Sequence, residues 1–372
     1  MRILYFTRSD SPHDQRFLKA LVTSGYEIHA LRLETHGSAP QTPEGVHEVE
    51  WQGCKGHFKL ADLFYLVPRL KRILNDLKPD VVHAGPIQDV AFLVAVTGFK
   101  PLVSMSWGFD MMRDVDKNWL QRWITAYTLK HSDRLAADCQ AVVEKAVTFG
   151  YPREKMIVFP WGVDLAHFSR RNGEMAAREW RKDMGWEANF VVLGLRSWEP
   201  QYGMDLLAEA FVRAARQESQ LRLLLLGSGS QERAIMCILR EGKMSGGVHF
   251  GGRMTLDELP GYYCAADVYV SPAHVDGSSV SLLEAMACEL PSIVSDIPGN
   301  CEWITNGKHG WVFKDGDVDG LVACILESCR SSQLDEMGLT ARAKIEEDAN
   351  WSANFPKLLN AYQSLLGGQN EK

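Results

Sequence analysis

Short apolar runs that alternate with helical patterns constrain the fold of this chain more than any other feature. ILYF at 3–6, VVHA at 81–84 and LVSM at 102–105 are apolar almost throughout, and LRLLLL at 221–226 restarts the pattern in the second half. Strands that are apolar at successive positions are buried on both faces, as in parallel sheets covered by helices. The sequence therefore predicts an α/β fold with doubly wound, Rossmann-like parallel sheets.

A polar and charged stretch interrupts this pattern once, near the middle of the 372 residues. Because a domain usually has ~100–200 residues, we expect two of them. The predicted divisions are a first domain over 1–165, a linker over 166–189, a second domain over 190–345, and a C-terminal helix in 346–372 that packs back on the first domain. Ligands of open parallel sheets bind beyond the carboxyl ends of the strands, so we expect a cleft between the two domains.

Composition excludes several classes of protein. The chain has 40 Lys and Arg against 47 Asp and Glu, a net charge of −7, which is a poor match to nucleic-acid phosphates. The charge is uneven: residues 1–170 carry +2 and residues 171–372 carry −9. Eight scattered cysteines without CxxC spacing, and no run of about 18 apolar residues, favour a cytoplasmic protein that is at most peripheral on a membrane.

The segment from Ser271 to Glu302 carries the sharpest chemical signal. A strand end is followed by the small-residue loop Gly277-Ser278-Ser279 and then by a helix from about Ser281. Backbone N–H groups of such a loop and of the helix amino end suit a diphosphate. Two carboxylates, Asp276 and Glu284, flank the loop, and carboxylates near a phosphate site are suited to accepting hydrogen bonds from sugar hydroxyls. The same Ser281-x-x-Glu284 spacing is also a capping box that needs no ligand.

This segment resembles the signature of the GT-B glycosyltransferases of glycosyltransferase family 4, which are retaining enzymes that use nucleotide-sugar donors. The matching positions are Asp276, Glu284, Ala285-Met286-Ala287, Pro291, Asp296, Pro298-Gly299-Asn300 and Glu302. The resemblance covers the second half and, more loosely, the first, and it implies a GT-B fold. It also implies that Asp276 contacts hydroxyls of the donor sugar and that Glu284 contacts the ribose. The amides that would hold sugar and phosphate belong to Gly277, Ser278, Ser279, Val280, Ser281 and Leu282.

A second motif, GLRSWEPQYG at 194–203, places Arg196 directly after a strand, where a guanidinium suits a phosphate pair. The resemblance implies that this Arg neutralises the leaving diphosphate. The family has Lys before the Gly, whereas this chain has Tyr202 before Gly203. It also has Asp276 where the family usually has Glu, which shortens the sugar-contacting acid by one methylene.

Two further loops of the second domain are predicted beside the nucleotide. The resemblance implies that Arg253 and Met254 lie near the base. LGSGS at 226–230 begins like a dinucleotide fingerprint, but position 232 is Glu rather than Gly, so a turn is favoured over a dehydrogenase motif.

In the first domain, Trp107 and Asp110 follow a strand in the segment SWGFD. The family often has His-Gly with a nearby Asp at this point, so the resemblance implies that a catalytic role passes to Asp110 or to the Trp107 carbonyl. His13 and Arg16, which follow the first strand, are the other acceptor-side candidates; an ordinary helix surface is the alternative for both.

Two acidic segments imitate metal sites, and one aromatic and basic segment has two interpretations. Asp315 to Gly320 begins like an EF-hand loop, but its twelfth position is Leu326, and Asp114-Val115-Asp116 imitates a metal-binding Asp-x-Asp. We expect solvated acids at both and no metal or other cofactor. FKLADLFYLVPRLKRIL at 58–74 is predicted to be either a helix packed on its own domain or an amphipathic element on a membrane surface.

These features favour a retaining glycosyltransferase that is a monomer or weak dimer. Its expected partners are a nucleotide-sugar donor and a glycan or lipid-linked acceptor, with no nucleic acid. A nucleotide-sugar epimerase of the same fold and a sugar-nucleotide-binding subunit without catalysis remain alternatives, and the departures at Tyr202 and Trp107 keep the second one open.

Overall fold

The computed structural model describes residues 1–34, 42–54, 56, 58–244 and 246–367. It divides into two compact units, one formed by residues 1–159 with the chain from Phe355 onwards, and the other by residues 160–354.

The first unit is built on a parallel sheet in the order β3-β2-β1-β4-β5-β6-β7. Its strands are β1 (Arg2–Thr7), β2 (Glu27–Arg32), β3 (Val46–Glu48), β4 (Val81–Ala84), β5 (Leu102–Met105), β6 (Arg134–Ala137) and β7 (Met156–Val158). Its helices up to β7 are α1 (Pro12–Thr23), α2 (Leu63–Leu77), α3 (Phe92–Thr97), α4 (Phe109–Met112), α5 (Trp119–His131) and α6 (Gln140–Thr148).

The second unit is built on a parallel sheet in the order β10-β9-β8-β11-β12-β13. Its strands are β8 (Phe190–Leu195), β9 (Leu221–Leu226), β10 (Val248–Gly252), β11 (Val268–Ser271), β12 (Ser292–Ser295) and β13 (Gly310–Phe313). The helices from here to the end of the chain are α7 (Arg170–Met184), α8 (Met204–Ala215), α9 (Glu232–Glu241), α10 (Leu259–Cys264), α11 (Val280–Ala287), α12 (Pro298–Cys301), α13 (Val318–Arg330), α14 (Leu334–Asp348) and α15 (Trp351–Gly367).

The apolar runs are strands buried on both faces, as the sequence predicts. Along β8, Val192 packs into one core, whereas Val191 and Leu193 pack into another on the opposite face. Leu223 and Leu224 of β9 divide between the same two cores. Because the period of a strand is two, an unbroken apolar run fills both helix layers at once.

The two sheets share the same order up to their sixth strand, and this order decides where a ligand can bind. In each sheet the first strand of the chain lies in the middle. The next two strands are added on one side of it, and the following strands are added on its other side. The direction reverses between β1 and β4 in the first sheet and between β8 and β11 in the second. Loops that leave neighbouring strands in opposite directions open a crevice at the carboxyl ends, which is the usual ligand site of such sheets.

The segment predicted as a linker, residues 166–189, contains a helix. Residues 170–184 form the helix α7, which belongs to the second unit and packs on α10. Arg181 donates a hydrogen bond from Nε to the carbonyl of Ala265 at 2.8 Å and pairs with Asp267. A narrow stripe of Gly173, Ala177, Trp180 and Met184 packs inward as well. The rest of the helix surface is polar, so its composition resembles that of a connector.

The last helix contributes to the first unit from Phe355 onwards. Its Tyr362 is buried and shares a hydrogen bond between its hydroxyl and Nδ1 of His83, on β4. Burial lowers the pKa of His83 to about 3, so the imidazole stays neutral at physiological pH.

Among the described residues, none of the helices combines the length and apolar character needed to span a bilayer.

Candidate active site

Two loops meet at the point where the strand order of the second sheet reverses. Arg196 is the first residue after β8, and Asp276 is the fifth residue after β11. Since β8 and β11 are hydrogen-bonded neighbours, their carboxyl ends bring together two residues that are 80 positions apart in the sequence.

The guanidinium of Arg196 is held from two directions. Its Nη2 donates to Oδ2 of Asp276 at 2.5 Å, while Nη1 donates to the hydroxyls of Ser279 and Ser281, the latter at 3.2 Å. The side chains of Arg196 and Asp276 are only 9% and 15% exposed. These contacts use three of the five N–H donors of a guanidinium. The group is therefore positioned before any ligand arrives, and two donors are not used by these contacts.

Electrostatics keeps this buried arginine charged. Burial acts to lower the pKa of Arg196, but the charge of Asp276, together with Tyr269 and Tyr202, more than compensates and raises the pKa above its ordinary value. A permanent positive charge at the crevice favours an anionic ligand, above all one with paired oxygens that match the planar fork of arginine.

Tyr202 lies against the face of the same guanidinium. Its ring centroid is 4.2 Å from Cζ of Arg196, which is a cation–π stack. The ring is placed by a short turn at 200–202 that ends in Gly203, at a φ of +61°. A Cβ at Gly203 would stand 2.2 Å from the carbonyl oxygen of Pro272, so only glycine lets the two loops approach this closely. Tyr202 therefore orients Arg196 and adds no second charge.

The helix α11 begins beside this pair. It starts at Val280 with Ser279 as its amino-terminal cap residue, so Ser281 and Glu284 do not form a capping box. The first N–H groups of an α-helix have no intrahelical acceptor and carry the positive end of the helix dipole. The Asp276 carboxylate balances the charge of Arg196, but the unused guanidinium donors and these amides together present N–H groups at one point of the crevice.

The loop before α11 is fixed from behind. Trp303 donates a hydrogen bond from Nε1 to the Ser278 hydroxyl at 3.1 Å. Gly299 packs so closely that a Cβ there would stand 2.3 Å from the carbonyl oxygen of Gly277. The amide of Gly277 donates to Oδ1 of Asp276 at 3.0 Å, so this N–H orients the acid.

Glu284 is placed deeper than Asp276. Glu284 is only 6% exposed. Its Oε2 accepts a hydrogen bond from the Tyr263 hydroxyl at 2.8 Å. Burial raises the pKa of Tyr263 well above its usual value, and the neighbouring Glu284 adds to this effect, so the phenol remains a donor. Tyr263 thereby fixes the orientation of the carboxylate predicted to bind ribose.

Arg253 lies at the end of β10 and reaches the neighbouring loop, where its Nε donates to the Ser228 hydroxyl at 2.9 Å. Met254 packs against the core under this edge of the sheet. The GSG segment at 227–229 is an irregular loop that leads into a turn at Ser230 and Gln231. Gly227 has a φ of +119°, and a Cβ there would stand 2.1 Å from the carbonyl oxygen of Arg196. These contacts agree with the turn that the sequence favours over a dinucleotide fingerprint.

Asp110 in the first unit, one of the predicted catalytic residues, is buried among hydrogen-bond donors. It is 1% exposed, and its carboxylate accepts hydrogen bonds from the Ser106 hydroxyl at 2.7 Å and from the amides of Trp107, Met111 and Ile87 at 2.9 to 3.0 Å. A carboxylate enclosed by four donors fixes the backbone around it. Asp110 therefore positions the segment at 106–111, and its predicted catalytic role stays a prediction.

The same burial predicts a pH dependence of stability. Burial raises the pKa of Asp110 from 3.8 to about 6, although its four hydrogen bonds oppose the shift. Between these values the folded chain binds a proton that the unfolded chain has released, so this residue makes folding more favourable as the pH falls from 7 to 4. We expect the stability deficit of Asp110→Asn to grow over that range by up to about 3 kcal/mol.

Denaturant unfolding of both proteins at several pH values measures this change, and the difference between them cancels contributions from other groups. A deficit that stays constant from pH 7 to pH 4 would show that the carboxyl titrates normally.

The other acceptor-side candidates lie near this loop. The imidazole of His13, on α1, meets the indole of Trp107 edge to face with centroids 6.4 Å apart. The Trp107 indole also lies over Gly85, where a Cβ would stand 2.9 Å from its Nε1. Arg16 lies one turn further along α1 and is half-buried. His13 and Trp107 are therefore brought together, while their predicted roles toward an acceptor stay predictions.

One pair in the first unit, which was not among the predicted site residues, repeats the arrangement of the second unit. Arg8 is the first residue after β1 and Asp89 is the fifth after β4, on the two sides of the reversal in the first sheet. Nε of Arg8 donates to Oδ2 of Asp89 at 2.6 Å, and Cζ of Arg8 lies 5.8 Å from the Phe109 ring centroid. The matching offsets, one residue after the first strand and five after the fourth, were the signal available in the sequence.

The acids that imitate metal sites are engaged with protein groups. Asp114 pairs with Arg113 and Lys117, and Asp116 with Arg122 and Lys145. In the EF-hand-like segment, Asp317 caps α13 by accepting from the amide of Gly320 at 3.0 Å, and Asp315 accepts from His274. Within the described parts of the chain, no cluster of three or more His, Cys, Asp or Glu side chains has a geometry that would hold a metal ion.

Comparison with known proteins assigns each half of the chain. Residues 2–139 match the family model described as "Glycosyl transferase 4-like", and residues 187–331 match "Glycosyl transferases group 1". One relative is a GDP-mannose-dependent monoacylated alpha-(1-6)-phosphatidylinositol monomannoside mannosyltransferase of Corynebacterium glutamicum, which is 31% identical to this chain over 216 residues. The match covers 55% of this chain and 55% of that protein, so it spans about half the length of each. The chain is 25% identical to glycogen synthase of Mycobacterium tuberculosis, over 96% of this chain and 92% of that protein.

Solved structures agree on the fold. Anabaena HepE in complex with UDP and glucose superposes with a TM-score of 0.81 at 18% identity, over 98% of this chain and 100% of that one. Sucrose-phosphate synthase of Thermosynechococcus elongatus gives a TM-score of 0.81 at 18% identity, over 99% and 100%. With a family model on each half and two Rossmann-like parallel sheets beneath them, this chain belongs to the GT-B glycosyltransferases of family 4 type.

Proposed function

We propose that the protein is a retaining glycosyltransferase that moves a sugar from a nucleotide-sugar donor to a hydroxyl of a glycan, a polysaccharide or a lipid-linked precursor. The observation that carries this proposal is the position of Arg196, fixed by Asp276 and two serine hydroxyls beside the amino end of α11. A guanidinium and helix amides at one point are suited to the diphosphate of a nucleotide-sugar.

The proposed chemistry follows from the charge that develops in the reaction. The bond from the anomeric carbon to the diphosphate breaks, the sugar becomes oxocarbenium-like and the leaving diphosphate gains negative charge. Arg196 and the amides of α11 stabilise that charge, and Tyr202 keeps the guanidinium in place. The acceptor hydroxyl adds to the face that the diphosphate leaves, and its proton passes to a leaving-phosphate oxygen, so the step needs no histidine base.

The two acids act on hydroxyl groups. Asp276 is the nearer to the guanidinium and accepts hydrogen bonds from the donor sugar, whereas the buried Glu284 accepts from the ribose. Because Asp276 is one methylene shorter than the glutamate usual in the family, the proposed donor sugar sits closer to the loop after β11.

The named relatives support a nucleotide-linked donor and leave several acceptors open. The corynebacterial relative is named for GDP-mannose and a phosphatidylinositol mannoside, and the Anabaena structure holds UDP with glucose. Positive charge comes from the protein in this proposal, so no metal or other cofactor is invoked.

A panel of nucleotide-sugars tests the proposal by thermal shift and then by transfer. One UDP- or GDP-sugar is expected to stabilise the protein, by about 2.7 kcal/mol when present at 100 times its Kd. With a suitable glycan or lipid-linked acceptor, the same donor is expected to give a product of unchanged anomeric configuration, and transfer is expected to persist in EDTA.

Three results would count against this function. Conversion of the donor without an acceptor would indicate an epimerase. Tight donor binding without transfer or slow hydrolysis across acceptors would indicate a binding subunit. An inverted anomeric configuration would contradict retention while preserving transfer.

A further inference from the structure

A cavity opens at the edge of the second sheet opposite to the candidate active site. It has a volume of about 550 Å³ and lies between α7, α10 and the end of α11. Its walls include Asp267, which directly precedes β11, and Pro291, which directly precedes β12. The cavity therefore lies at the amino ends of these strands, whereas the diphosphate site lies at their carboxyl ends.

Two cysteines meet in the wall of this cavity. Cys264 is the last residue of α10, and Cys288 directly follows α11. Both side chains line the cavity, and their thiols share a hydrogen bond. Cys264 is partly exposed, whereas Cys288 is only 3% exposed. The pair therefore has one thiol that a solute can reach and a second thiol in contact behind it.

The surroundings make the outer thiol the more reactive one. The hydrogen bond from Cys288 lowers the pKa of Cys264, and the charge of Arg170 acts in the same direction, although burial opposes both. The same hydrogen bond, together with burial, raises the pKa of Cys288 well above its usual value. Because the thiolate is the nucleophile in disulfide exchange, Cys264 is suited to the first attack and Cys288 to the second.

The charges of the cavity indicate the class of reactant. Three arginines and four acids line it. Arg181 and Asp267 pair with each other, whereas Arg178 and Asp335 have side chains that are 78% and 87% exposed. Exposed groups of both signs suit a small zwitterionic disulfide such as oxidised glutathione, whose carboxylates match arginines and whose ammonium groups match acids.

The two helices that carry the cysteines also carry a hydrogen bond of the candidate active site. Tyr263 directly precedes Cys264 and donates to Glu284, and the amide of Cys288 donates to the carbonyl of Glu284 at 3.0 Å. Sulfur atoms in a hydrogen bond lie further apart than the about 2.05 Å of a disulfide, so oxidation draws the ends of α10 and α11 together. We expect this movement to displace the Tyr263 hydroxyl from the carboxylate.

We propose that Cys264 and Cys288 are a redox-active pair, which a small zwitterionic disulfide oxidises through this cavity, and that oxidation weakens donor binding at Glu284. The Cys264 thiolate attacks one sulfur of the reactant, whose sulfur–sulfur bond breaks, and one thiol molecule leaves. Cys288 then loses its proton, attacks the Cys264 sulfur and displaces the second thiol molecule. The two protein thiols lose two electrons and two protons, which the reactant gains. The part that concerns the donor rests on the proposed function.

Peptide mapping of the unreduced full chain by mass spectrometry, after treatment with oxidised glutathione, tests the pair. We expect a peptide linked through Cys264 and Cys288 that dithiothreitol separates. Cys288→Ser is expected to stop at a mixed disulfide of Cys264 with glutathione, and Cys264→Ser to lower modification of Cys288 at least about tenfold. Cys301→Ser, which changes an exposed cysteine of the second unit, is the matched control and should form the link at an unchanged rate.

An uncharged reactant, 2-hydroxyethyl disulfide, tests the role of the cavity. Its rate with Cys264, divided by its rate with Cys301 in the same chain, is expected to be at least about threefold lower than the same ratio for oxidised glutathione. Equal ratios for the two reactants would overturn the assigned class of reactant.

Donor binding by the oxidised and reduced proteins tests the link to the active site. We expect oxidation to raise the Kd of the donor about threefold to tenfold, as for the loss of one hydrogen bond, and Cys288→Ser to abolish the effect of the oxidant. An unchanged Kd in the linked protein would overturn this connection. Absence of the link while Cys301 takes up glutathione would overturn the pair itself. Because peptide mapping needs no donor, a chain that transfers no sugar can still form the link, so the two proposals fail separately.

Discussion

Replacing Arg196 by alanine is expected to lower kcat/KM for sugar transfer by at least about 100-fold, which corresponds to about 2.7 kcal/mol of transition-state stabilisation. The guanidinium is the charged group fixed at the reversal of the second sheet, and it is aimed by Asp276 and Ser281. A pre-positioned donor contributes most when the leaving diphosphate gains charge, so the loss should fall mainly on kcat.

Variants at Tyr202 separate the charge of Arg196 from its position. Tyr202→Phe keeps the ring that stacks on the guanidinium at 4.2 Å and should retain most activity, whereas Tyr202→Leu should lose about threefold to tenfold. If the Tyr202 hydroxyl itself bound phosphate, Tyr202→Phe would be the damaging change instead.

Folding must be monitored in the same experiment. Arg196→Ala leaves the Asp276 carboxylate, 15% exposed, without its ion-pair partner. A thermal melt and the donor-induced shift distinguish a misfolded site from a slow one. A loss of less than tenfold in kcat/KM with a normal melt would contradict the phosphate role of Arg196.

Replacing Trp303 by alanine is expected to destabilise the second unit by about 3–5 kcal/mol. Trp303 is 2% exposed and lies in the core on the α11 side of the sheet. Its loss removes a large buried surface and the Nε1 donor that holds the Ser278 hydroxyl. We therefore expect a lower melting temperature for this unit together with a higher KM for the donor.

Two control substitutions test whether packing or the hydrogen bond dominates. Trp303→Phe keeps much of the volume and removes the donor, with an expected cost of about 1–3 kcal/mol. Trp119→Ala makes the same chemical change at a side chain 77% exposed and should alter stability by about 0.5 kcal/mol or less. Equal losses of stability in Trp303→Ala and Trp119→Ala would show that burial of Trp303 behind the Ser278 loop does not stabilise the second unit.

Much of the second-unit site was predictable because neighbouring strands of a parallel sheet end at one edge. Arg196 follows one apolar run and Asp276 follows another, so both were expected near a diphosphate from the strand pattern. Their direct pairing was not predictable, because sequence spacing does not state that β8 and β11 are neighbours. The capping-box alternative for Ser281 and Glu284 also needed the structure, since it depends on the residue at which α11 begins.

Some features of the first unit were harder to infer. Asp110 was a catalytic candidate by the family resemblance, and sequence reasoning did not foresee that four donors enclose its carboxylate. Arg8 and Asp89 carry the same offsets as Arg196 and Asp276, yet no family motif marks them. The helix α7 resembled a linker because most of its surface is polar, and composition does not reveal that it packs on α10 or that Arg181 contacts Ala265 and Asp267.

By itself, the sequence determined the fold class, the two sheets and the segments that carry polar groups at their carboxyl edges, since these follow from periodicity and from local backbone chemistry. Only the tertiary structure decided how each of those polar groups is held. Arg196 and Asp110 both follow apolar strands, but one contributes a charge held at a crevice and the other is enclosed by its own loop. That difference arises from burial and from contacts between distant residues, which no local pattern encodes.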